Sequence, residues 1–418
     1  MLSKLKKVFR KFGPGIITGA SDDDPSGIAT YSMAGASHGY SLLWTALITF
    51  PLMSSIQEMC ARIGVVTEKG LAGNIKTVYK SKILLYPLAV LIISANTLNI
   101  GADLAGMAAA ANLLIPINPL ILASAMTVLI ILLMVFFPYR LIAANLKWLT
   151  FALLAYIASA LVTKQDWMLI LYKTLVPTVD FSKETITLLV AILGTTISPY
   201  LFFWQTSEEV EEKKELEHRT HKNIIVTKHE LKEVREDVDL GMFFSNLVMF
   251  AIIATTASTL YGAGIHQIES ADQAALALEP IAGNAASLLF TLGIVGTGLL
   301  AIPVLAGSAA YAIAETFGWK EGLNRPFRQA KLFYLVIIFA TIVGFLINFA
   351  HINPFRALFY TAVMYGLISP ILILFILLLA NNKKIMGTNT NGRVTNILGI
   401  ITFLLMTGAA VVFLVLQL

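Results

Sequence analysis

The chain has 418 residues, of which 57% are hydrophobic and 13% are charged, and its mean hydropathy is +0.77. This composition excludes an ordinary soluble globular protein and indicates a polytopic membrane protein that lies in the lipid bilayer. The formal net charge is +5, but in a membrane protein the location of basic residues matters more than their sum, so we expect no nucleic-acid partner. The single cysteine, Cys60, predicts no disulfide.

Apolar segments long enough to cross a bilayer recur along the whole chain. A spanning helix needs about 20 mostly apolar residues, so the sequence predicts an all-α membrane protein with eleven spans in one transporter domain, 13–417. A basic segment, 1–12, precedes them, and we expect it to be retained. The predicted spans are 13–38, 41–66, 83–112, 118–138, 143–163, 185–206, 239–262, 284–313, 332–350, 355–380 and 394–417.

Lysine and arginine fall mainly on one side of these spans. With the segment 1–12 in the cytoplasm, most basic residues lie in inner loops. Such a bias predicts a cytoplasmic N-terminus and an external C-terminus. The basic residues expected outside are Lys164, Lys173, Lys183 and Arg356.

Three consecutive carboxylates, Asp22, Asp23 and Asp24, interrupt the first span just before Pro25-Ser26-Gly27. Each ionised carboxylate in a bilayer costs at least about 2.5–3.5 kcal/mol on insertion scales. Two of them roughly 4 Å apart also repel by about 4 kcal/mol at an effective dielectric near 20. The cluster therefore needs protons or a cation, and it predicts a transported ion. The alternative, that the carboxylates only cap or hydrate the break, applies more to Asp22 and Asp23 than to Asp24.

A second interruption, 195–200, lies in the sixth predicted span, five spans after the first. A proline removes a helix donor, so carbonyl groups come free beside it. Two breaks in corresponding places indicate five-plus-five inverted repeats, here 13–163 and 185–380, with an additional helix at 394–417. Two unrelated proline kinks are the alternative.

The segment 207–237 mixes positive and negative charges, and we interpret it as a cytoplasmic helix or helical loop. Its histidines, His218, His221 and His229, are interpreted as solvated and not as metal ligands. No nucleotide-binding motif or nucleophile–base arrangement is visible, so we expect neither an enzyme nor an ATP-driven pump.

These motifs resemble the NRAMP divalent-metal transporters, whose fold is the LeuT-type inverted repeat. The run 13–15 leading to 24–27 is similar to their first broken helix, and 192–200 lies where the family carries Met-Pro-His. Further similarity lies at 39–44, 353–356 and 384–387. The resemblance implies a LeuT-type fold in which the first and sixth helices are unwound at the midplane.

The resemblance also implies a metal site, with several departures. The family's metal-binding aspartate falls on Asp24, whereas its asparagine falls on Gly27, its methionine on Ser198 and its glutamine on Ala362. Hard Mg²⁺ prefers oxygen to a thioether and keeps several waters, and small residues at Gly27 and Ser198 are expected to widen the cavity. Further ligands implied by the resemblance, or expected to act through water, are the carbonyls of Ser21 and Thr195 and the carboxylates of Asp22 and Asp23.

The family's proton route lacks several of its titratable residues in this sequence. Its histidine falls on Tyr200, which does not titrate near neutral pH. Asp103 matches a family aspartate, but the acidic residue three positions later is Gly106, and the ninth span holds no arginine. Two interpretations of Asp103 stay open: a residual proton role, or a hydrogen bond to Asn96 or Asn99.

These changes match the NRAMP-related magnesium transporters, a prokaryotic branch of the superfamily. We therefore expect a secondary transporter in the bacterial plasma membrane, without a cofactor and functional as a monomer, that imports Mg²⁺, with Mn²⁺ as a possible second substrate, by alternating access without proton coupling. The alternatives are a proton-coupled Mn²⁺ or Fe²⁺ importer, a cation channel, and a LeuT-type transporter of an organic substrate.

Overall fold

The structure, a computed structural model, describes residues 13–138, 141, 151–163, 165–221 and 226–417. Every regular element in these ranges is helical, because a helix satisfies its own backbone groups where water is absent. The basic segment 1–12, residues 143–150 of the predicted span 143–163, and Lys164 lie outside the described residues.

The helices are numbered here in chain order, leaving out short 3₁₀ and π turns. They are α1 (Pro14–Asp22), α2 (Pro25–His38), α3 (Trp44–Thr67), α4 (Leu71–Tyr79), α5 (Lys82–Asn112), α6 (Pro119–Phe136), α7 (Leu154–Val162), α8 (Trp167–Leu175), α9 (Lys183–Thr196), α10 (Pro199–Thr220), α11 (Lys228–Thr256), α12 (Ala271–Ala275), α13 (Glu279–Ala282), α14 (Ala286–Phe317), α15 (Lys331–Ile347), α16 (Pro354–Ala380), α17 (Lys383–Met386) and α18 (Arg393–Gln417).

Both predicted interruptions are present as breaks between helices. α1 ends at Asp22 and α2 begins at Pro25, while α9 ends at Thr196 and α10 begins at Pro199. Each new helix starts on a proline, which is favourable there because the first helical N–H has no intrahelical acceptor. Two residues at each break are therefore non-helical and leave backbone groups to be satisfied by side chains.

Three groups of helices surround the breaks. α11 packs against α1 and α3, α9 packs against α16 and α2, and α5 packs against α14, α15 and α16. Glycine permits close contacts between these helices: a Cβ added to Gly19 of α1 would lie 2.3 Å from the carbonyl oxygen of Gly241 of α11. The half-helix α1 therefore lies directly on the backbone of α11.

Within the described residues, eight helical segments are long and apolar enough to cross a membrane, or nine if a bent pair, 25–42 and 44–67, is counted as one span. The first predicted span is not among the eight because its break divides it into helices of 9 and 14 residues. The second is not among them because α3 carries the charged pair Glu58 and Arg62, which lowers its hydropathy. Residues 143–150 of the fifth predicted span lie outside the described residues, and the described part holds the nine-residue helix α7. The number of eleven spans stays a prediction.

The described part of the charged segment 207–237 includes the end of one helix and the start of the next. α10 continues to Thr220, and α11 begins at Lys228. Its first part is packed inside the protein, since Glu209 and Lys213 are buried and the Lys213 ammonium lies 2.7 Å from the Glu68 carboxylate. The three histidines are exposed, as a solvated segment predicts.

Candidate cation site

Asp24 caps the start of α2 with its side chain. Its Oδ1 accepts hydrogen bonds from the Ser26 hydroxyl and the Gly27 backbone N–H, both at 2.7 Å. Its Oδ2 accepts a third, at 2.9 Å, from the Nδ2 of Asn99 on α5. The positive end of the α2 dipole also favours a negative charge at this position. Asp24 is therefore a buried carboxylate held by three donors.

Asp22 and Asp23 face a different helix from Asp24. The hydroxyl of Ser245 on α11 donates to Asp22 Oδ2 at 2.6 Å and lies 3.4 Å from Asp23 Oδ1. Asp22 Oδ1 is buried and has no hydrogen-bond partner in the described part of the chain. Among the described residues, no three histidine, cysteine or acidic side chains are grouped to hold one metal ion. The three aspartates thus line two sides of the break and do not form one ligand set here.

The two backbone carbonyls expected as ligands are both covered by hydroxyl groups. Tyr200 donates to the Ser21 carbonyl at 2.9 Å, and Ser198 donates to the Thr195 carbonyl at 2.6 Å. A cation that binds these oxygens must displace the hydroxyls. The contact of Tyr200 with Ser21 also brings the first break against the second.

Small residues do not open a cavity in this state, contrary to our expectation. A Cβ on Gly27 would lie 3.1 Å from Thr195 Oγ1 and 3.4 Å from the Tyr31 ring, so neighbouring side chains fill that side. Ala362 is fully buried in a small apolar cluster between α9 and α16. The residues at the breaks are at most 3% exposed, so the structure encloses the site on all sides.

Neither of the two hydrogen bonds proposed for Asp103 is made by the asparagines of α5. Asn96 donates to the Leu305 carbonyl and accepts from Tyr365, while Asn99 donates to Asp24. Both carboxylate oxygens of Asp103 are buried without a partner among the described residues. A hydrogen bond from either asparagine is therefore not the role of Asp103 in this state.

Gly106 lies one turn beyond Asp103 and packs on α16. A Cβ added there would lie 2.8 Å from Leu358 Cδ1. The place where the resemblance implies an acidic residue is thus occupied by an apolar contact.

The sequence did not indicate several hydroxyls that donate hydrogen bonds to backbone carbonyls at the second break. Ser308 of α14 donates to the Tyr200 carbonyl at 2.6 Å, and Ser369 of α16 donates to the Ile197 carbonyl at 2.8 Å. Ser245 and Asn99 were likewise not expected to contact the aspartates. The available signal was a polar residue inside an apolar span, which on its own does not identify its partner.

A thioether also lies near the second break. The Met249 sulfur on α11 is 3.9 Å from the Thr196 hydroxyl and 4.0 Å from the Thr49 hydroxyl. The site therefore has a soft donor in its surroundings, although not at the position of Ser198.

A bundle of apolar helices with two adjacent breaks and enclosed carboxylates defines a multi-pass membrane transporter. The model of the family described as "Natural resistance-associated macrophage protein-like" matches residues 15–416. The chain belongs to this Nramp family, as its motifs predict. Its relatives are transporters and not enzymes.

Two curated relatives illustrate the distance within the family. A divalent metal cation transporter MntH from Yersinia enterocolitica is 27% identical over 405 residues, which cover 95% of this chain and 92% of the relative. The MntH protein of Pectobacterium carotovorum is 25% identical over 390 residues, covering 91% and 88%.

Solved structures confirm the LeuT-type fold. The manganese transporter of Eremococcus coleocola, in complex with an aromatic bis-isothiourea compound, has a TM-score of 0.75 at 18% identity and covers 99% of this chain and 87% of its own. Mhp1, a nucleobase-cation-symport-1 family transporter in a closed conformation, has a TM-score of 0.53 at 14% identity, covering 96% and 91%.

Proposed function

We propose that this protein is a secondary transporter of divalent metal cations that imports Mg²⁺ by alternating access. The observation that carries the proposal is Asp24, an enclosed carboxylate at a helix break whose three hydrogen-bond partners are oxygen and nitrogen groups. Membership of a family whose relatives are named divalent metal cation transporters supports the charge of the substrate.

Oxygen chemistry around the breaks supports Mg²⁺ as the substrate. Ser198, Thr195 and Tyr200 place hydroxyl groups within one short stretch, and hard cations prefer oxygen. Mg²⁺ releases its water reluctantly. Hydroxyls that now cover carbonyls can turn to hydrogen-bond those waters, so the site suits an ion that keeps part of its hydration shell.

Uncoupled transport is the second part of the proposal. Tyr200 offers no group that titrates near neutral pH, and α15 carries no arginine to pair with Asp103. A divalent cation gains about 4.6 kcal/mol on crossing 100 mV, twice the single-charge value. The membrane potential therefore suffices for import into a bacterial cell, with the N-terminus inside and one chain as the functional unit.

A proton-coupled Mn²⁺ importer is the alternative that specific observations favour. The relatives are named MntH, one structural neighbour is described as a manganese transporter, and the Met249 thioether near Thr196 provides a soft donor. Asp103, buried without a hydrogen-bond partner in the described residues, is its available proton carrier.

Uptake into proteoliposomes under an imposed potential, with a pH dye inside, tests both alternatives. We expect Mg²⁺ uptake without internal acidification, reduced to the level of empty liposomes by Asp24→Ala. Mn²⁺ uptake with matching acidification and no Mg²⁺ flux would replace the proposal with the proton-coupled alternative. Single-channel currents in a planar bilayer would instead indicate a cation channel.

A further inference from the structure

α5 presents to the first break a polar side chain that is only half satisfied. Asn99 is fully buried, and its Nδ2 donates to Asp24 Oδ2 at 2.9 Å. Its Oδ1 has no hydrogen-bond partner among the described residues. A buried carbonyl-type oxygen without a donor is costly, so this oxygen is available to a polar group or a cation.

We propose that Asn99 is a two-state ligand of the transported cation, an inference that rests on the proposed divalent-cation transport. In the empty site its amide nitrogen donates to Asp24. In the loaded site the carboxamide turns about its last torsion and presents Oδ1 to the cation or to a water of its hydration shell. Amide oxygens, like carboxylates, are ligands of hard divalent cations.

A carrier that returns without its cation needs the Asn99 nitrogen to face Asp24. A transporter without proton coupling must return through its enclosed state without the cation, and Asp24 then remains buried. Three donors, the Ser26 hydroxyl, the Gly27 N–H and the Asn99 amide, supply the hydrogen bonds that a buried carboxylate needs. Asn99 is the only one of these three that comes from outside the break.

The loaded state explains why the oxygen is left free. The carbonyls of Ser21 and Thr195 are covered by hydroxyls, whereas Asn99 Oδ1 is uncovered and belongs to the group that already contacts Asp24. Rotation of the carboxamide exchanges a donor for an acceptor at nearly the same place without moving α5. Asn99 therefore supplies an oxygen beside Asp24 without displacing any other hydrogen bond.

Two substitutions separate the two roles of Asn99. Asn99→Ala removes both, and Asn99→Asp keeps the oxygen but removes the donor. Isothermal titration of the purified protein with Mg²⁺ should show affinity about ten- to hundredfold weaker for Asn99→Ala, the range for losing a supporting metal partner. Affinity should be equal to or tighter than wild type for Asn99→Asp.

Transport in proteoliposomes then tests the empty state. Asn99→Asp should lose net uptake, which requires the empty return, while exchange of external for internal Mg²⁺ persists, because the bound Mg²⁺ neutralises the added carboxylate beside Asp24. Unchanged affinity in Asn99→Ala, or equal losses of affinity in both variants, would overturn the proposal. So would Asn99→Asp net uptake at the wild-type rate.

Asn96→Ala is the matched control, because Asn96 lies on the same helix, is equally buried and contacts Leu305 and Tyr365 instead of Asp24. It should leave cation affinity unchanged. If Asn99→Ala is not monodisperse, Asn99→Ser replaces it. If wild type carries Mn²⁺ and not Mg²⁺, the proposed substrate is wrong, and the same titrations with Mn²⁺ still decide the role of Asn99.

Discussion

Single hydroxyl groups control which oxygen atoms of the breaks are available to a cation. Tyr200 at the second break donates to the Ser21 carbonyl at the first, and Ser198 donates to the Thr195 carbonyl at the end of α9. Both hydroxyls satisfy carbonyls that a broken helix would otherwise leave unpaired in a water-free interior. These hydrogen bonds are expected to stabilise an enclosed carrier that returns without its cation, as uncoupled transport requires.

Replacing Tyr200 with phenylalanine tests this role. The variant leaves the buried Ser21 carbonyl without a donor, so we expect a loss of about 1–3 kcal/mol of stability. Saturating Mg²⁺ should reduce the loss, because the cation can bind the freed oxygen. Thermal unfolding in detergent with and without Mg²⁺ measures both effects.

Tyr31→Phe serves as the control for Tyr200→Phe. The Tyr31 hydroxyl contacts another hydroxyl, Thr196 Oγ1, at the longer distance of 3.3 Å. The loss of stability in Tyr31→Phe should be smaller than in Tyr200→Phe and independent of Mg²⁺. An equal, Mg²⁺-independent loss in both variants would show that Tyr200 is only a packing residue.

Between helices, α1 depends on α11 for its position. The Asp237 carboxylate accepts hydrogen bonds from the N–H groups of Gly13 and Gly15, at 3.1 and 2.7 Å, and so caps the start of α1. Further along, Gly19 lies on Gly241. A helix of nine residues has little stability of its own, so these contacts fix the position of α1 against α11.

Gly19→Ala should therefore separate α1 from α11. The added Cβ would lie 2.3 Å from a backbone oxygen, which cannot move aside as a flexible side chain can. We expect overpacking to lower the stability by about 1–3 kcal/mol and to reduce Mg²⁺ uptake. Thermal unfolding and flux measurements test the two effects. Gly408→Ala on α18 is the control, since its Cβ would meet nothing within 4 Å; a similar loss there would refute the explanation.

The sequence predicts elements better than their contacts. Proline and aspartate inside apolar runs located both breaks, and the predicted span 355–380 begins one residue after the observed helix Pro354–Ala380. The predicted span ends at 206 and the helix continues to Thr220, because hydropathy marks the bilayer core while charged residues extend a helix into water. The partners Ser245 and Asn99 lie 223 and 75 residues from their aspartates, and no local pattern encodes such pairs.

Across the whole molecule, alternating access requires one end to open while the other stays closed. α10, α14 and the segment 318–330 meet at the end that our orientation places in the cytoplasm. Glu211 of α10 accepts hydrogen bonds from the N–H groups of Leu323 and Asn324, at 2.8 and 3.0 Å, and from the Tyr311 hydroxyl. Glu315 accepts one from the N–H of Gly73 at 2.7 Å. Carboxylates thus join the segments at this end, and their protonation is expected to affect its stability.

Glu321, in the segment after α14, makes the stability of the folded protein depend on pH. Burial, reinforced by the Glu315 carboxylate, raises the pKa of Glu321 to about 9, above its value of about 4.3 in an unfolded chain. The folded protein therefore binds this proton more tightly, and stability falls as the pH rises from the unfolded value toward 9. Glu321→Gln, which stays neutral, should unfold at a higher temperature than wild type at pH 8, and the difference should nearly vanish at pH 5. The exposed Glu279→Gln should show no such dependence. A Glu321→Gln difference equal at both pH values would mean that the gain comes from packing and not from the proton.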